Sequence, residues 1–124
     1  MTETQTATVQ KNWEMNVQAP GSIMDLYGNF GFAVKLAGQA QREIGPLAKQ
    51  LDETKIPQLT VNVRGLADAF TESEHANAAK AGIIDPIVEG IGEVTGLNVR
   101  GRVKLVFLDA PETDLSRSYL PPKN

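Results

Sequence analysis

The chain has 124 residues, with 15 acidic against 12 basic side chains, one histidine and no cysteine. That length suits one ordinary domain, and a net charge of -3 argues against a protein built chiefly to coat nucleic acid or an anionic membrane. Without cysteine there are no disulfides, thiolate metal sites or cysteine nucleophiles, and one histidine excludes a multi-histidine metal centre within one chain.

The opening MTETQTATVQKNWEMNVQ lacks the basic end and apolar run of a secretion leader, and no apolar run reaches the roughly 20 residues that span a bilayer. A cytoplasmic protein without a transmembrane segment is the expectation, with residues 1–6 as a tail. From Thr8 to Gln18 polar and apolar residues alternate, Val9, Trp13, Met15 and Val17 on one side, which predicts a half-buried strand. Ala19-Pro20-Gly21 stops it. Ser22 with Asp25 resembles a helix-capping pair, so a helix is expected from Ile23, its apolar stripe running through Leu26, Tyr27, Phe30, Val34, Ala37 and Ala40 to Ile44. Gly28, Gly31 and Gly38 inside it each cost up to about 1 kcal/mol relative to alanine, and suggest close packing against the backbone. Pro46 suits the first position of a new helix, predicting a kink at Gly45 and a second helix to about Glu53.

IPQLTVNVRG reads as a strand, with Leu59, Val61 and Val63 facing in. Thr71 with Glu74 forms a second capping pair, and Gly82 is expected to end that helix before Asp85-Pro86 restarts it and Gly96 closes it. LNVRGRVKLVFLD then predicts the last strand, with Val99, Val103, Leu105 and Phe107 inward and Asn98, Arg100, Arg102 and Lys104 outward.

The tetrapeptide NVRG occurs at Asn62–Gly65 and at Asn98–Gly101. It follows two similar stretches, IGPLAKQLDE from Ile44 and IDPIVEGIGE from Ile84. This predicts an internal duplication of a helix-helix-strand unit, spanning about 23–65 and 72–108, and inherited strand chemistry explains the tetrapeptide better than a duplicated active site does. The resulting fold class is α+β, or a small α/β domain over 7–109. It is a two-layer β-α-β-α-β arrangement, with three strands covered on one face by Pro-kinked helix pairs, and the tail 110–124 is extended. A three-stranded sheet leaves two edges and one polar face unattended, which favours association.

The motifs with chemical precedent are weak. GIGEVTG, Gly90–Gly96, has the glycines of a dinucleotide loop but in reversed order, preceding a strand instead of a helix. Glu72 and His75 have the spacing of half a di-iron site, with no second half. Ser22, Ser73, Ser116 and Ser118 lack an activating context, and the acids Asp52, Glu53, Asp85, Glu89 and Glu93 read as helix ends and solvated faces. No catalytic residue, metal or cofactor is expected.

Arg64, Arg100, Arg102 and Lys104, read as one basic row on a strand face, form the candidate site for an anionic partner such as nucleic acid. Exposed aromatics for base stacking are missing from that row. Candidate contacts for a homo-oligomer are Trp13, Phe30, the glycines Gly28 and Gly31, and the tail anchors Leu115, Tyr119 and Leu120. The functional expectation is a non-enzymatic structural or scaffolding subunit that self-associates or docks on a larger complex. The alternatives are a module binding an anion through the basic row, and a small enzyme whose site forms between subunits.

Overall fold

A computed structural model of the chain describes residues 12–21, 23–26, 29–66, 74–110 and 118–119. Strands β1 (Trp13–Gln18), β2 (Leu59–Arg64), β3 (Val103–Phe107) and β4 (Ser118–Tyr119) form one sheet in the order β1-β2-β3-β4. The first three are mutually parallel and β4 is antiparallel to β3. The helices are α1 (Phe30–Glu43), the short α2 (Gly45–Ala48) and α3 (Glu74–Thr95), with 3-10 turns at Ile23–Leu26, Glu53–Lys55 and Arg100–Arg102. A mixed α and β chain is therefore the architecture, and the sheet has a fourth strand beyond the three expected.

Strand alternation organises the core. Met15 and Val17, Leu59, Val61 and Val63, and Val103, Leu105 and Phe107 are buried, while Glu14, Asn16, Gln18 and Arg64 on the alternate positions are exposed. The buried strand residues join one cluster with Leu36, Ala40 and Ile44 on α1 and Ile83, Ile84, Ile87 and Ile91 on α3. The two helices meet where Gly90 faces Ala37. A Cβ on Gly90 would lie 2.6 Å from the Ala37 carbonyl oxygen and 3.1 Å from its Cα, so only glycine permits this approach.

Several expectations are corrected. The helix expected from Ile23 is only a 3-10 turn there, and α1 opens at Phe30, where the Asn29 side chain accepts a hydrogen bond from the Phe32 N–H at 3.0 Å. Its buried stripe is Leu36, Ala40 and the following Ile44, not Phe30 and Val34, which are 80% and 72% exposed. The second helix stops at Ala48, well before Glu53. The helix expected to break at Gly82 is continuous through both Gly82 and Pro86. The missing proline N–H would have bonded the carbonyl of Gly82, four residues back, so both breakers weaken one and the same rung. Buried Ile83, Ile84, Ile87 and Ile91 hold the helix together across it.

The duplicated tetrapeptide adopts two unrelated structures. Asn62–Arg64 lies in β2, whereas Asn98 and Val99 precede the 3-10 turn Arg100–Arg102, outside β3. The sheet pairs Asn62 with Val106 instead of with Asn98. The first copy is the end of a strand and the second is the lead-in to one.

Candidate functional site

The basic row does not assemble. Arg64 ends β2, while Arg100 and Arg102 precede the start of the parallel β3, so they occupy opposite ends of the sheet. At about 3.3 Å per residue the length of a strand separates them. The Asn98 side-chain oxygen accepts from the Arg100 N–H at 3.1 Å and turns the backbone away from the extended form. The Arg100 guanidinium sits 2.7 Å from the Asp85 carboxylate on α3, and of the four only Lys104 stands on β3, opposite Thr60.

The oligomer candidates also divide. Trp13 is half-buried against the core. Tyr119 packs on the core of its own chain: β4 pairs it with Leu105, and the Lys80 ammonium stands 5.0 Å from its ring centroid and 5.9 Å from that of Phe107. Gly31 is exposed near the start of α1. Gly28, Leu115 and Leu120 lie outside the described residues, as do Glu72 and the His75 side chain. Ala37, a small residue suited to a contact between subunits, is instead taken up by Gly90 of the same chain.

Phe30 is different. Phe30 and Val34, four residues apart on α1, are neighbours on the helix surface and the two most exposed large apolar side chains among the described residues. Beside them is a depression of about 240 Å³ lined by Leu26, Asn29, Phe30, Phe32, Ala33, Gly82, Asp85 and Pro86. An apolar protrusion and an apolar hollow thus share one surface. The hollow exists because Gly82 and Pro86 leave little side chain on that stretch of α3.

A second surface follows the outer edge of β1. The Trp13 N–H bonds the Gln58 carbonyl and the Ala19 N–H bonds the Arg64 carbonyl, so the odd-numbered residues turn their backbone groups toward β2. Those of Glu14, Asn16 and Gln18 consequently face outward. One outward carbonyl, that of Asn16, accepts from the Gln39 side chain of α1 at 2.8 Å. Two depressions flank this edge and share Val17 and Gln18. One, about 210 Å³, adds Asn16, Asn62, Arg64 and Leu108; the other, about 170 Å³, adds Phe32, Lys35, Leu36, Gln39 and Arg42. Lys35, Arg42 and Arg64 make no ion pair among the described residues. The Asn62 side chain donates to that of Asn16 at 3.2 Å, fixing two of the amides on the outer sheet face.

At the same end of the sheet, Gly65 adopts a φ of +97° and its N–H donates to the Asp109 carboxylate at 2.6 Å. A side chain there would meet Gln18 and the Ala19 carbonyl at 2.5 and 2.7 Å. This explains the first NVRG glycine as a strand-ending turn. Among the described residues no group of three or more histidine or acidic side chains could hold a metal ion, and no helix is long and apolar enough to cross a membrane. No family model matches the chain, and neither does any curated protein or solved structure.

Proposed function

We propose that the protein is a non-enzymatic assembly module that associates with copies of itself through the exposed surface of α1. The observation that carries this reading is the pairing of Phe30 and Val34 with the apolar hollow at Leu26, Ala33 and Pro86. A two-fold contact requires a surface that is its own complement, and a knob beside a hole meets that requirement, each Phe30 entering the hollow of the other copy. Single exposed apolar residues are ordinary, but a phenylalanine at 80% exposure beside a valine at 72% on one helix face makes a patch.

The energetics are close to balance, as a weak, reversible dimer requires. Burying Phe30 and Val34 from both copies contributes about 1.5–3 kcal/mol per side chain. The total of about 6–12 kcal/mol stands against an association cost of about 4–15 kcal/mol. Phe30→Glu tests the reading by light scattering, with Lys104→Glu on the far sheet face as the charge control. Loss of the dimer in the first variant alone supports it; equal behaviour of both variants and the parent sinks it.

A further inference from the structure

We propose that the free edge of β1 accepts an extended, acidic segment of another protein, added to the sheet as a further strand. The inference deepens the reading of this chain as an interaction module but uses a surface separate from α1's apolar patch.

An exposed strand edge is a row of unused donors and acceptors, and folded proteins generally cover it. This chain covers the opposite edge of the parallel strands itself, with β4 on β3. Among the described residues β1 has no such strand beside it. Among the described residues Gln39 alone bonds this edge, holding the Asn16 carbonyl by one side-chain hydrogen bond that can swing away at the cost of a single contact.

The surroundings fit a strand in particular. Successive side chains of an added strand point to opposite faces of the sheet. Here one hollow lies on each side of the edge, one beside Arg64 and the other beside Lys35 and Arg42. Main-chain hydrogen bonds to Asn16 and Gln18 supply affinity in such an addition, and the hollows supply selectivity. Three cations that make no ion pair among the described residues make that selectivity favour carboxylates, since like charges across an interface are strongly disfavoured.

The test uses the full chain and a fluorescein-labelled decapeptide of alternating glutamate and valine, with a lysine-valine decapeptide and single-stranded oligothymidylate as comparison probes, read by fluorescence anisotropy. The expected result is saturable binding of the acidic peptide, weakened about tenfold or more by Lys35→Glu with Arg42→Glu, because each reversed charge repels the probe. Asn16→Pro, which removes an outward N–H while keeping a conformation that edge strands tolerate, abolishes binding with the circular dichroism spectrum unchanged. Gln39→Ala strengthens binding by releasing the Asn16 carbonyl. Should Asn16→Pro misfold, Gln39→Ala and the charge reversals still decide. Equal binding of the basic peptide, preference for oligothymidylate, or indifference to both Asn16→Pro and the charge reversals overturns the proposal. Phe30→Glu retains peptide binding, so failure of the edge and failure of the α1 dimer are read separately.

Discussion

Gly82 and Gly90 lie on the same helix, and adding one methyl group to each has opposite consequences. At Gly82 a Cβ meets nothing within 4 Å, so Gly82→Ala gains helix propensity without a clash. The expected stabilisation is about 0.5–1 kcal/mol, mostly from a less flexible unfolded chain. At Gly90 the same methyl would lie 2.6 Å from the Ala37 carbonyl oxygen, inside the 3.0 Å that real Cβ contacts respect. The obstacle is backbone, so α1 and α3 must separate, and buried Leu36, Ala40, Ile87 and Ile91 lose contact with them. Overpacking of this kind costs about 1–3 kcal/mol or more. Set against the same propensity gain, Gly90→Ala is left with a net loss of up to about 2.5 kcal/mol. The propensity gain is common to both, so the two variants should differ by the overpacking cost of about 1–3 kcal/mol, or about 4–12 °C in Tm for a domain of this size. Urea denaturation followed by circular dichroism measures both. If Gly90→Ala is as stable as Gly82→Ala, the close crossing of α1 and α3 is wrong.

Three further outcomes follow from individual contacts. Lys80 is only 2% exposed, and its ammonium has aromatic neighbours but no carboxylate or carbonyl partner among the described residues. A cation–π contact contributes about 2 kcal/mol where desolvated, less than the several kcal/mol lost on burying an ion, so Lys80→Met should raise the urea midpoint; a lower midpoint contradicts this. Asp109→Ala removes the acceptor of the Gly65 N–H and should cost about 1 kcal/mol, with Asp109→Asn recovering part, as thermal unfolding of the pair would show. The Arg100–Asp85 pair is substantially exposed, so a double-mutant cycle should return a coupling of about 0.2–1 kcal/mol; a value above 2 kcal/mol would mean that the pair is shielded from solvent.

The strands were the legible part of the sequence. Leu59 to Arg64 and Trp13 to Gln18, the part of the expected Thr8–Gln18 strand that lies within the described residues, alternate without interruption and form strands, because burial of every second side chain forces the register. Legibility failed where a local hydrogen bond or a tertiary contact outweighed the pattern. Asn98 bonds the Arg100 N–H and curls into a 3-10 turn a segment that alternates like a strand, which also separates Arg100 and Arg102 from Arg64. Gly82 and Pro86 look like two helix breaks, yet they weaken the same rung of a helix pinned by isoleucines. On α1, Phe30, Phe32, Val34 and Leu36 put large apolar groups around much of the helix, so periodicity alone could not identify the outer face. The small residues hold that answer: Ala33, Ala37 and Ala40 mark the side that approaches its neighbours. The outward row of β1 was visible as alternation, but its place at the edge of the described sheet required knowing the strand order, which two similar crossovers leave open.

The most direct test of the assembly reading is absolute mass in solution, by light scattering on a size-exclusion column at micromolar and at submillimolar concentration. The apolar surface at Phe30 and Val34 predicts a mass that rises from monomer to dimer between the two. A monomer at the higher concentration would contradict it and leave α1's exposed face without the role assigned to it.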